Sequence, residues 1–510
     1  MMKSLYNTAA GKMLAAVATG LLLTSVIACS DDESWEPYVD NNTYYDEAYR
    51  PAVHFTPKTF WTNDPNGMVY LDGEYHLFYQ YNPMGSVWGN MSWGHAVTKD
   101  LMHWEHLPVA LTKDTNGEIF SGSIVVDENN TAGFGKGAMV AVYTSNGERQ
   151  TQSLAYSLDK GRSFVKYQNN PVLKDDTKPD FRDPKVFWYA AGNCWMMPLA
   201  TGQTITFYSS ANLKDWKKLS EFGDGIGSHG GVWECPDLIQ MDYNGQKKWV
   251  LLVSINPGGP NGGSATQYFV GDFDGTTFMP DALPYPLWID YGKDNYAGVT
   301  WNNVPEGRHL FIGWMSNWQY AGAVPTMTWR GGMTLPRELA LQQDAEGKPV
   351  LTSQVVKEVD GIAGEWKTIS ASNDVYAIDN NDGAYELRIE MEIAGNENLT
   401  LTLSNDKGDK YPISLNRADK SFVIDRTASG EVSFSSEFGK VLYSPLNLSS
   451  DAVSLTLFVD KSSVEALINN GMVQQTNLVY PSGVYNSLSV EAGKGQIIKS
   501  VKVRTLSSVW

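Results

Sequence analysis

The chain of 510 residues is long enough for two or three domains with large buried cores. Its formal net charge of -18 sets up a field that repels phosphates and excludes general nucleic-acid binding, while a neutral substrate is indifferent to it. Aromatic residues make up 12% of the chain, with 17 Trp and 26 Tyr, and such flat faces suit both β-rich cores and the apolar faces of sugars.

In chain order, the first feature is a targeting segment. Lys3 and Lys12 precede an apolar run over 13–28 that is too short for a membrane-spanning helix. The run closes on Val26-Ile27-Ala28-Cys29, which resembles a bacterial lipobox. That resemblance implies removal of a lipoprotein signal peptide over 1–28, lipidation of Cys29 and a lipid anchor in the outer membrane. Ser30, Asp31, Asp32 and Glu33 follow at once, and acidic residues there resemble the signal that carries lipoproteins of Bacteroides-like bacteria to the outer cell surface. A periplasm-facing anchor is the alternative. Only Cys194 and Cys235 then remain, too few for a disulfide framework, and 29–50 reads as a linker.

Over 51–345 the sequence consists of short strands separated by Gly, Asn, Asp and Pro turns. One theme recurs, an apolar strand closing on a polar turn: YHLFYQYN (75–82), AMVAVYTSN (138–146), CWMMPLATG (194–202), KWVLLVSIN (248–256) and HLFIGWMSN (309–317). The copies lie roughly 55 to 65 residues apart, the length of a four-stranded propeller blade with long loops, so five blades are expected. Upstream of the copies stand NDPNG (63–67), FSGS (120–123), FRDP (181–184), WECPD (233–237) and DYGKDNYAG (290–298). The first strand of each propeller blade lines the central channel. Asp64, Asp183 and Glu234 are therefore expected to meet at one mouth of that channel, on rigid strand starts. A connector is expected over 346–364, and 365–510 reads as a β-sandwich from alternating runs such as YELRIEMEI (385–393). The fold class is thus all-β, a five-bladed propeller followed by a sandwich.

Paired carboxylates in contrasting environments are the usual equipment for cleaving glycosidic bonds. Trp233, Cys235 and Pro236 are apolar neighbours that should desolvate Glu234 and raise its pKa, making it the candidate acid. Asp64, between Asn63 and Asn66 at a turn, has a setting that favours an ionised nucleophile. Asp183 beside Arg182 is expected to stay charged and to stabilise a cationic transition state. His103 and His106 have metal-like spacing without an evident third ligand, and DFDG (272–275) lacks the rest of a calcium loop. No metal or cofactor is implied.

WTNDPNG, FYQYNP (78–83), WGNMSWGH (88–95), FSGS, FRDP, WECPD, DYGKDNYA and LPRE (335–338) occur together and in the order seen in glycoside hydrolase family 32, the family of levanases, inulinases and invertases. DKSSVEALINNG (460–471) resembles the family's C-terminal sandwich, so the resemblance runs from about residue 51 to the end. It implies that Asp64 is a nucleophile, Asp183 a transition-state stabiliser and Glu234 the acid/base of a retaining reaction at a fructosyl unit. It also implies that Asn63, Gln80, Trp88, Ser123 and Arg182 bind the fructose, with Asp290 and Trp318 as further candidates. Thr62 stands where the family often has Met, at a position that does not react. The function implied is a β-fructofuranosidase acting on fructan polysaccharide or fructo-oligosaccharide, levan weakly favoured over inulin, endo or exo. The alternatives are a non-catalytic surface fructan-binding protein and a fructosyltransferase.

Overall fold

The computed structural model describes residues 44–379 and 383–510, so Cys29 and the leader lie outside the described residues. Strands dominate because apolar runs such as Ala138–Asn146, buried almost end to end, stop at Gly, Asn or Asp turns before a helical period can develop. Five four-stranded units follow in order: Phe60–Leu71 to Glu105–Leu111, Glu118–Asp127 to Val165–Lys166, Phe187–Tyr189 to Lys217–Phe222, Val232–Tyr243 to Phe278–Pro280, and Tyr296–Thr300 to Pro349–Val355. Within each, neighbouring strands are antiparallel, and the first strands of different blades touch one another around the axis. The five recurring apolar runs are the second strands of these blades.

The two ends of the propeller meet in the sheet of the first blade. The short strand Trp329–Arg330, inserted between the second and third strands of the fifth blade, pairs parallel with Phe60 and Trp61 and so adds a fifth strand to the first blade's sheet. Two expected boundaries move. Pro349–Val355, expected in the connector, is the fourth strand of blade five and pairs residue by residue with Arg337–Gln343. Pairing satisfies its backbone groups, and the chain leaves the propeller only at the 3-10 turn Lys357–Ile362. The end of the expected linker is packed as well: Tyr45 stacks on Trp510, and Arg50 is fully buried with hydrogen bonds to Thr56 and the Pro57 carbonyl.

The second region is a sandwich of two six-stranded sheets. Leu387, Ile389, Met391 and Ile393 of the alternating strand Tyr385–Ile393 enter its core together with Leu401, Leu403 and Ile413 of the other sheet. The propeller is joined to it by backbone bonds from Tyr291 and Asp294 to the strand Val473–Leu478. Gly292 makes that approach possible, since a Cβ there would stand 2.2 Å from the Thr476 carbonyl oxygen.

Candidate active site

The innermost strands are irregular at one level. Register shifts fall between Thr62 and Pro65, Ile119 and Gly122, Glu234 and Asp237, and Tyr296 and Val299, in four of the five blades. Bulges re-aim side chains and are among the few places where a sheet accepts proline, which accounts for Pro65 and Pro236 beside carboxylates. In the third blade the innermost strand is reduced to Phe187–Tyr189, and Arg182 joins the sheet by a lone bridge to Ala200. Asp183 and Cys235 are both in the left-handed region, with φ of 63° and 47°. Each such residue costs about 1–3 kcal/mol, held in place by the surrounding sheet.

These turns bring Asp64, Asp183 and Glu234 around one pocket of about 230 Å³. Asp64 Oδ2 accepts a hydrogen bond from Ser121 Oγ at 2.6 Å, and Asn63 Nδ2 donates to Asp64 Oδ1 at 3.0 Å. Asn63 is itself fixed by Trp61 Nε1 at 2.7 Å. Asp183 Oδ2 accepts from the Cys235 amide at 3.0 Å, and the Cys235 thiol reaches both Asp64 and Asp183, at 3.6 and 3.7 Å. Glu234 has a donor on each oxygen: Arg182 on Oε1 at 3.1 Å and the Tyr296 hydroxyl on Oε2.

Burial sets the electrostatics. Asp183, with 5% of its side chain exposed, is pushed above the usual carboxylate range by desolvation, against the pull of Arg182 and with further push from Glu234 and Asp64. The expectation that Arg182 alone keeps Asp183 charged is therefore corrected: removal from water outweighs one guanidinium shared among several carboxylates. Glu234 is also raised, first by desolvation and then by Asp64, against Arg182 and the Tyr296 hydrogen bond. Its side chain is 23% exposed, but that exposure faces the pocket, which a bound sugar would dry. Trp233 does not contribute as expected. It points into the packing of blades three and four, with its indole nitrogen on the Ser228 carbonyl, and the aromatic groups near Glu234 are Tyr296 and Trp318.

Of the expected sugar-binding residues, Asn63, Gln80, Trp88, Arg182 and Trp318 line this pocket. Trp88 is 48% exposed at the rim and Trp318 stacks on Trp61. Two do not line it. Ser123 lies beneath, its hydroxyl donating to the Pro184 carbonyl and accepting from the Val186 amide. The bulge at Ile119–Gly122 turns Ser121 toward Asp64 instead. Asp290 is drawn into the junction between propeller and sandwich, where Thr476, Gly292 and Arg337 occupy its oxygens. Sequence reasoning missed Ser121, Phe120, Cys235 and Tyr296. All four sit inside motifs it had singled out, but no one-dimensional pattern says which member of a bulged motif faces the pocket.

Comparison with known proteins accords with this geometry. Residues 54–353 match the glycosyl hydrolases family 32 N-terminal domain, and residues 353–506 the family 32 C-terminal domain. A levanase of Bacillus subtilis is 48% identical over 92% of the chain and 72% of its own length. An extracellular exo-inulinase of Aspergillus niger is 39% identical over 91% of the chain and 96% of its own. Among solved structures, an exo-inulinase from Aspergillus awamori superposes with a TM-score of 0.85 at 36% identity, covering 92% of this chain and all of that one. A fructofuranosidase from Schwanniomyces occidentalis complexed with fructose gives 0.82 at 35%, covering 91% and 100%.

Proposed function

From the premise that the chain belongs to glycoside hydrolase family 32 and is a fructan hydrolase of that family, we propose that it is an exo-acting, retaining β-fructosidase that removes terminal fructose from levan in preference to inulin. The observation that carries the exo reading is the blind end of the pocket. Below Asp183 the channel narrows to a space of about 10 Å³, room for a single water, so a sugar chain enters by its end and does not thread through. The 48% identity to a levanase, against 39% for an exo-inulinase, supports the linkage preference.

In this reading Asp64 attacks the anomeric carbon of the terminal fructosyl unit while Glu234 gives its proton to the departing glycosidic oxygen. The product is a fructosyl ester of Asp64. Water then attacks the same carbon, its proton passes to Glu234, and Asp64 leaves as the carboxylate. Ser121 and Asn63, which bond the two Asp64 oxygens, hold the carboxylate aimed during both steps. Asp183 faces the developing positive charge, and Arg182 and Tyr296 fix the plane of the Glu234 carboxyl.

The deciding experiment follows the early products from levan, inulin and sucrose. Fructose alone, released as the β-anomer and fastest from levan, is the expected result. A ladder of oligosaccharides would overturn the exo reading, and products longer than the donor would favour fructosyl transfer. We also propose that Cys29 is lipidated and holds the enzyme at the outer membrane, facing outward, on the strength of the lipobox and the acidic residues after it. Cys29→Ala should move the protein to the soluble fraction, and protease added to intact cells should degrade the wild type. Retention of the variant in the membrane would refute lipidation there.

A further inference from the structure

The strands that bring the catalytic carboxylates together do not end at the pocket. Val232–Tyr243 carries Glu234 near its start and Gln240 near its end, about 20 Å further at the rise of an extended strand. In the third blade the chain leads from Asp183 into the strand Phe187–Tyr189, and in the fifth the strand Tyr296–Thr300 leads on to Asn303. These far ends surround a second opening of about 570 Å³, separated from the catalytic pocket by the narrow space beneath Asp183.

Its lining selects a class of ligand. On one wall the half-buried Tyr189 is braced by Trp249 and Phe273, with ring centroids 6.2 and 5.8 Å away, a rigid aromatic surface made before any ligand arrives. Gln240 is exposed at the rim, and Asn303, whose Nδ2 donates to the Tyr70 carbonyl at 3.0 Å, has its amide oxygen left to accept. The cations are already neutralised. Lys185 in the floor pairs with Asp237 at 3.1 Å, and Arg308 is held by Glu338 and Glu358. An anion finds no free positive charge, and a purely apolar ligand would strip water from the amides without replacing their hydrogen bonds. Aromatic surface beside uncharged hydrogen-bonding groups fits a neutral sugar.

We propose that this opening is a second, non-catalytic binding site for a neutral oligosaccharide, a stretch of fructan chain other than the end being cut. The inference rests on the fructan reading above. Its consequence is avidity: a polymer can occupy both ends of the propeller or be recaptured after each cleavage, and a trisaccharide cannot.

Full-length Asp64→Ala protein titrated calorimetrically with fructo-oligosaccharides of five or six units should bind two molecules per chain. Adding Gln240→Lys, at an exposed position that leaves the core untouched, or Tyr189→Ala should remove one of them. With Asp64 intact, both substitutions should raise KM for polymeric fructan about five-fold or more while kcat/KM for a fructosyl trisaccharide stays unchanged. A single binding event in the Asp64→Ala protein, or an unchanged polymer KM in Gln240→Lys, would overturn the second site while leaving the hydrolase reading intact. Failure of the wild type to hydrolyse any fructan would overturn both.

Discussion

Two clusters of buried charge, one at the catalytic mouth and one at the junction with the sandwich, use the same residue types to opposite effect. At the mouth, Asp183 and Glu234 share one guanidinium, Arg182, which also serves Asp180, and Asp64 stands beside them on hydrogen bonds from Asn63 and Ser121. Burial and mutual repulsion there push Asp183 and Glu234 up. At the junction, His54 lies between Asp460 and Glu465 at 2.7 and 2.8 Å, Arg337 bridges Glu465 and Asp290, and Arg426 takes Asp294 at 2.7 Å. There Asp460 is held low and Glu465 is lowered to about 2, although both are buried. Burial alone does not decide a carboxylate's protonation. The count of cations around it does, and an under-compensated cluster is one able to move protons.

The comparison breaks most completely at the mouth. Glu234→Gln should lower kcat on fructan by about 10²–10⁴-fold with little change in the unfolding transition, because it removes a proton donor while Arg182 keeps Asp180 and Asp183 as counter-ions. Full activity in that variant would refute the assignment. The matching change at the junction, Arg337→Met, leaves Asp290 and Glu465 short of their cation and should cost about 3–5 kcal/mol in denaturant unfolding. Specific activity of the folded fraction should change little. If activity fell while stability held, the two clusters would not be separable.

Smaller effects sharpen the contrast through pH. The raised Glu234 should keep its proton above the usual glutamate range, so the alkaline limb of a bell-shaped kcat/KM profile reports it. Tyr296→Phe removes a donor that lowers Glu234, and the alkaline limb should move to higher pH; a limb that stays in place would show that the hydroxyl does not bond the ionised form. At the junction the sign is reversed. His54 is raised to about 9 from 6.5, so its contribution to stability is complete below about pH 6.5 and is lost as pH rises through 9. Asp460 and Glu465, being lowered, contribute above the usual carboxylate range and lose that contribution in acid. Melting temperature should therefore decline between pH 6.5 and 9, and His54→Gln should flatten that decline.

Amino-acid order alone determined the blade count, because each second strand is an apolar run too short for a helix and ends on a polar turn. It also marked the motifs holding Asp64, Asp183 and Glu234, since carboxylates beside prolines and apolar residues at the head of strands are hard to explain as surface turns. What it could not determine is direction. Whether Ser121 or Ser123 faces Asp64 depends on one bulge: in a regular strand both would share a face, and the irregular register between Ile119 and Gly122 takes Ser121 out of that alternation. Asp290 went to the sandwich because Gly292 lets its loop lie against Thr476, almost two hundred residues later in the chain. The raised Asp183 depends first on its burial among the blades and then on the carboxylates other blades deliver beside it, and Arg182, the charged residue next to it in sequence, pulls the other way. Local sequence thus chose the elements and the reactive residue types. Facing, neighbours and protonation belong to contacts between distant segments, which exist only once the ring of blades has formed.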